Sequence, residues 1–251
     1  MLRITWPLRA LIVLAICAGG AAAAEKPCPV DADAYTYEPY LPKTLAALEA
    51  GGELTVVAIG GASTEGRAAG GSEASWPSRF VEALKERYPS ARINLTVRAS
   101  PRPKVADMVA RFSKEVVPLN PSLVIWEAGT TDAVRSTDIE EFRTALQAGL
   151  DVLRATSAET VLMDMQYSRM THSVVYFNRY LVILRGVADV TDTPLFPRHK
   201  IMYDWAEMGL LETPDRNAEA RRALADWLYR CIGGAVADFV TRRPPPESAQ
   251  E

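Results

Sequence analysis

The chain is poor in the side chains that most often carry chemistry: its 251 residues include only 2 histidines and 3 cysteines. Two distant histidines and no close Cys/His spacing give no metal-ligand cluster, so no metal is expected. There is no surplus of basic charge either. With 28 basic residues against 31 acidic ones, the net charge is −3. That balance argues against nucleic acid or an anionic membrane surface as the main partner. After Ala24 no apolar run is long enough to span a bilayer. Gly60, Gly61 and Gly66, like Gly70 and Gly71, lack the Gly-x-Gly-x-x-Gly spacing, and no P-loop lysine follows them, so no nucleotide cofactor is expected. What is present is ordinary: 48% hydrophobic and 24% charged residues, with Gly 15 and Pro 17. Those values exclude a disordered chain, a collagen-like repeat and a disulfide-dense miniprotein.

Residues 1–24 read as a secretory signal peptide. Arg3 and Arg9 are its charges, Ala10 to Cys17 is a short apolar core, and Ala22 and Ala24 end it in Ala-x-Ala, which places cleavage before Glu25. The apolar core is too short for a membrane anchor. Ile16 stands where lipid attachment at Cys17 would want a small residue. The expected location is therefore the periplasm or outside the cell. Export leaves Cys28 and Cys231, a pair expected to form a disulfide in an oxidising compartment. Closing a loop of about 200 residues could contribute roughly 4–5 kcal/mol in the chain-entropy model; the alternative is two unpaired thiols.

The rest of the chain alternates strand and helix. Leu54 to Gly60, Arg92 to Val97, Leu123 to Ala128 and Val161 to Met165 read as strands, with a weaker fifth within Val190 to Phe196. Helices are expected from Ser75 onward, over Lys104 to Val117, after Asp138, over Ser173 to Val187, and from Ala218 to Val240. Asp138 and Glu141 give the third of these a capping-box-like start. This order predicts an α/β three-layer sandwich around a parallel sheet of about five strands. Residues 25–241 form one domain, and 242–251 a proline-rich tail expected to be disordered. The site of such a fold lies at the carboxyl ends of its strands.

The loops at those ends carry a resemblance. Gly60-Gly61-Ala62-Ser63-Thr64-Glu65-Gly66 follows the first strand and Gly129-Thr130-Thr131-Asp132 the third. Ala106-Asp107-Met108 with Arg111-Phe112 precedes the third strand, and Asp226-Trp227-Leu228-Tyr229-Arg230-Cys231 lies in the last helix. Together they resemble the SGNH (GDSL) hydrolase superfamily, in particular an exported bacterial subgroup. The resemblance implies a flavodoxin-like fold and ester hydrolysis. That chemistry uses a serine nucleophile, a histidine base three residues after an aspartate, and a glycine and an asparagine holding the oxyanion.

Carried over position by position, the nucleophile falls on Ala62, the glycine on Ala99 and the asparagine on Thr131. The Asp-x-x-His pair falls on Ala220 and Ala223. Every signature residue is replaced. If activity survives, Ser63, Asp132 and His172 or His199 are the candidates. Ser63, one position off, is expected instead to cap the following turn, and both histidines are expected at the surface. The leading expectation is a catalytically degenerate SGNH-like protein that binds an acylated glycan, a lipid-like ligand or a partner enzyme. Gly61, Ser63, Thr131 and Arg98 are the candidate binding residues, and Arg98, Arg102, Lys104 and Arg135 would favour an anionic ligand. The alternatives are an active esterase with displaced catalytic groups and a structural partner subunit of an active relative.

Overall fold

A computed structural model describes residues 26–172, 176–213 and 217–244. The signal-peptide reading of 1–24 and most of the proline-rich tail lie outside the described residues.

Five strands form one sheet: β1 (Glu53–Gly60), β2 (Arg92–Ala99), β3 (Leu123–Glu127), β4 (Glu159–Met163) and β5 (Leu195–Phe196). Their order is β2-β1-β3-β4-β5 and every pairing is parallel. This is the flavodoxin-like order, in which the chain reverses direction across the sheet between β1 and β3.

The helices are α1 (Pro42–Glu49), α2 (Trp76–Arg87), α3 (Val105–Glu115), α4 (Thr130–Val134), α5 (Ile139–Arg154), α6 (Arg169–His172), α7 (Phe177–Val190), α8 (Arg198–Glu207) and α9 (Ala218–Val240). They cover both faces of the sheet. Val56 and Ala58 of β1 pack into one apolar core with α2, α8 and α9, while Val57 and Ile59 pack into the other with α3, α5 and α7. A strand buried on both faces reads as a continuous apolar run rather than an alternating one, which is what Leu54 to Gly60 shows.

Caps set the helix starts. Ser75 accepts the Ser78 N–H ahead of α2, Asp138 accepts the Glu140 and Glu141 N–H groups ahead of α5, and Asn217 accepts the Ala220 N–H ahead of α9. The α2–α9 crossing is close. A Cβ at Gly233 would stand 2.6 Å from the Phe80 backbone nitrogen, so only glycine lets the two backbones approach. Cys28 and Cys231 form a disulfide with Cα atoms 5.3 Å apart, tying the N-terminal segment to α9. Trp205 and Trp227 hold the same segment by donating indole N–H groups to the carbonyls of Pro29 and Lys26. Among the described residues no helix is long and apolar enough to cross a membrane.

The sequence expectations fail in one stretch. β4 begins and ends two residues earlier than read, and Val190 still belongs to α7, leaving β5 only Leu195 and Phe196. The start of α7 read at Ser173 falls on residues outside the described ones. The segment around His199, to which the sequence reading gave no element, is the first turn of α8, which begins immediately after Pro197. Proline is tolerated at a helix start because its missing N–H would be unpaired there anyway. The Arg-His-Lys that follows conceals the helix because Arg198 is the buried residue of the three.

Candidate functional site

The site lies where the loops after β1 and β3 meet, at the point where the strand order reverses. A cavity of about 110 Å³ opens there, lined by the β1 loop (Gly61, Ala62, Ser63), Arg102, the β3 loop (Gly129 to Thr131) and Gln166. Gly60 makes the β1 loop possible: a Cβ on it would stand 2.1 Å from Thr64 Oγ1 and 3.0 Å from Glu127 Cβ. Gly129 turns the β3 loop with φ +93°, a conformation that costs glycine little.

Beneath the loops is a buried polar cluster. Glu127, the last residue of β3, accepts from the Ser63 hydroxyl at 2.9 and 2.7 Å and from the Thr64 hydroxyl at 2.6 Å. Arg198 Nη1 stands 3.0 Å from Glu127 Oε1 and donates to Ser63 Oγ at 3.2 Å. Arg198 Nη2 reaches Gln166 Oε1 at 3.5 Å, and Trp76 Nε1 donates to Thr64 Oγ1 at 3.3 Å. Arg198 is fully buried, Glu127 is 6% exposed and Ser63 is 7% exposed. Buried charges survive only when paired and hydrogen-bonded. Here both carboxylate oxygens of Glu127 have donors, while Arg198 Nε is buried without a partner.

The structure disperses the residues singled out from sequence. Ala62 is exposed and presents only a methyl group to the cavity. Gly61, Ser63 and Thr131 line the cavity as well. Ser63 does not cap the turn through its side chain: its backbone carbonyl accepts the Gly66 N–H, and its hydroxyl is drawn into the Glu127–Arg198 cluster. Ala99 ends β2 in register with Gly60 and does not line the cavity. Arg98 donates its Nε to the Glu115 carbonyl and does not line it either. Ala220 and Ala223 lie in the first turns of α9, also away from the cavity lining. Asp132 is buried and accepts the Val105 N–H at 3.0 Å, which fastens α4 to the start of α3. Burial pushes its carboxyl up to about 6.

Neither histidine joins Ser63. His172 is exposed on α6 and His199 is half-buried on α8; both rings lie about Tyr167, with centroids 5.5 Å from it. The expectation of a surface position therefore holds for His172 and fails for His199. Burial, with His172 nearby, lowers His199 to about 4, and its Nε2 is buried without a partner. The backbone N–H of His199 donates to Asp164 at 2.7 Å, and burial raises that carboxyl to about 7.

Sequence reasoning missed Glu127, Arg198 and Gln166. One signal was available for Glu127: a carboxylate at the end of an otherwise apolar, doubly covered strand needs a buried cation. Nothing local marked Arg198 as that cation.

The comparisons with known proteins fit this geometry. A model of the non-GDSL lipase-like family matches residues 27–243. No curated protein matches the chain in sequence. Among solved structures, it is similar to a catalytic mutant of Axe2, an acetylxylan esterase from Geobacillus stearothermophilus. The two share 18% identity over 72% of this chain and 94% of that one, with a TM-score of 0.56. The acetyl xylan esterase AlAXEase gives 21% identity over 70% and 98%, with a TM-score of 0.56. A two-domain esterase, CEX, active on acetylated mannans and co-crystallised with mannopentaose, gives 18% over 82% of this chain and 55% of that one, with a TM-score of 0.62. At such identities the likeness establishes the fold, a three-layer α/β sandwich of SGNH type.

Proposed function

Since the chain belongs to the non-GDSL lipase-like family, within the SGNH/GDSL superfamily, we propose that it keeps the superfamily's ligand cleft without its serine-hydrolase chemistry, as an exported protein that binds an acylated glycan. One observation carries this reading. The resemblance puts the nucleophile's position at Ala62, and the neighbouring hydroxyl, Ser63, is buried and held by Glu127 and Arg198. An activated serine needs a base to take its proton and a lone pair free to attack. Ser63 gives its proton to a carboxylate already engaged by a guanidinium and accepts from that same guanidinium.

The size and lining of the cavity support a glycan over a lipid. A volume of about 110 Å³ holds about four waters at liquid density, enough for an acetyl group and a hydroxyl but not for a long acyl chain. Thr130, Thr131 and Gln166 are among the residues that line it. The structural neighbours that act on acetylated xylan and mannan lend the same class of ligand.

The test is fluorophosphonate labelling of the purified protein and hydrolysis of short aryl esters, beside Ser63→Ala. The expected result is no labelling and no turnover above buffer in either protein. Labelling and turnover that vanish in Ser63→Ala would overturn the reading and establish an esterase whose nucleophile is displaced by one residue.

A further inference from the structure

Donors and acceptors are unevenly spent around the cavity. Both Glu127 oxygens take hydroxyl or guanidinium donors, and the Ser63 hydroxyl donates to Glu127 and accepts from Arg198. The backbone carbonyls of Gly61, Ala62, Ser63, Gly129 and Thr131 each accept an N–H from their own segment.

The donor side is not spent. Gln166, from the segment between β4 and α6, lines the cavity and is half-buried. Its Oε1 accepts from Arg198 Nη2 at 3.5 Å. A guanidinium has only donors, so an amide beside it turns its oxygen that way. Arg198 is itself buried and held by Glu127 and Ser63. That contact sets which end of the Gln166 amide faces Arg198 and leaves the two amide N–H groups for another partner. Thr130 lines the cavity too, and its hydroxyl is buried without a hydrogen-bond partner. Buried polar groups left unpaired are costly and rare, and one on a residue that lines a cavity can be satisfied by a ligand.

A lining with its acceptors taken and donors left suits a group that accepts and does not donate. On an acylated glycan the acyl carbonyl is such a group, whereas a sugar hydroxyl also brings a proton that needs an acceptor. Ring and glycosidic oxygens accept as well, but they lie within the chain of sugars and do not project into a cavity of about 110 Å³.

We propose that Gln166 and Thr130 read the acyl carbonyl: the acyl group enters the cavity, and its oxygen accepts from the Gln166 amide and the Thr130 hydroxyl. The proposal rests on the glycan-binding reading above and names the group of the ligand that the cavity selects. Neither residue stands at a position that the resemblance assigns to catalysis or to the oxyanion.

The experiment is calorimetric titration of the purified protein with two probes: an O-acetylated xylo-oligosaccharide and the same oligomer carrying ethyl ethers in place of the acetyl esters. The ethyl group fills nearly the same volume without a carbonyl. The acetylated probe is expected to bind about five- to tenfold tighter, as one or two neutral hydrogen bonds provide. Gln166→Met should shrink the gap to about twofold or less. Thr130→Val removes a hydroxyl that has no partner to lose, so folding is not at stake, and it should remove a smaller part. Equal affinity for the two probes, or a gap that both variants leave intact, overturns carbonyl recognition and leaves glycan binding standing. Binding of neither probe overturns both.

Discussion

Breaking the Glu127–Arg198 pair from one side should destabilise the protein far more than removing it from both. Arg198 is fully exluded from solvent and Glu127 nearly so, 3.0 Å apart at their nearest atoms. Charges about 4 Å apart attract by about 4 kcal/mol at an effective dielectric near 20. Desolvating both groups cancels much of that, so the pair as a whole contributes little. Arg198→Met, however, leaves a buried carboxylate with two hydroxyl donors and no cation. The expected loss is about 3–5 kcal/mol, a large share of the roughly 5–15 kcal/mol typical of a whole domain. Glu127→Gln leaves a buried guanidinium whose Nε already lacks a partner, and should cost a similar amount. The double variant should recover most of the loss, since no charge then remains to be compensated. Urea unfolding of the four proteins at neutral pH closes the cycle, with an expected coupling of about 4–8 kcal/mol, the two single losses less the small cost of the double variant. Single variants that each cost under about 1 kcal/mol, or a double variant that costs their sum, would refute the account of a compensated buried pair.

Two further perturbations test the frame around the site. Asp164 is pushed by burial from the ordinary carboxylate range up to about 7, so the folded protein holds a proton that the unfolded chain releases, and wild-type stability should fall through Asp164 as pH rises from about 4 to about 7. His199, lowered to about 4, works in the opposite direction up to its ordinary range, so the readable quantity is the difference between proteins: Asp164→Asn should gain on wild type across that window, by up to about 4 kcal/mol, in denaturant melts at pH 4.5 and 7.5, and a constant difference would contradict the burial argument. On α9, Gly234 has nothing within 4 Å of a built Cβ while Gly233 meets the α2 backbone at 2.6 Å. Gly234→Ala should therefore stabilise by up to about 1 kcal/mol through helix propensity, and Gly233→Ala should cost about 1–3 kcal/mol through overpacking; changes of the same sign in thermal melts would contradict the packing at this crossing.

Legibility in the sequence follows from how many residues share a signal. β1 and α9 could be read with little error because burial acts on every residue of a doubly covered strand and on a long helical stripe including Trp227, Cys231, Ala235 and Phe239. β5 has only two residues, too few for any period, and its neighbours Thr193 to Arg198 are all buried despite a threonine, two prolines and an arginine. The start of α8 is concealed by the same residues. Strand–helix alternation implied a parallel sheet, because parallel pairing and crossover helices constrain each other; the flavodoxin-like arrangement came only with the resemblance carried by the loops after β1 and β3.

The candidate site divides along the same line. Its cavity was readable as a place, since the carboxyl ends of strands at a reversal of strand order are where such folds bind, and Ala62 and Thr131 were found because they occupy fixed steps in short loops. Its buried cluster was not, because Ser63 and Arg198 meet across 135 positions and Glu127 comes from a third element. Ala62 and Thr131 line the cavity beside Ser63, whose hydroxyl joins the ion pair beneath them. On the proposed reading, a site relieved of proton transfer no longer needs a free base and can hold a charge pair where a reacting centre would require an unengaged one. Such a pair is retained even when it contributes little to stability, because losing either member alone strands a buried charge. It therefore locks the floor of the cleft beneath the loops after β1 and β3.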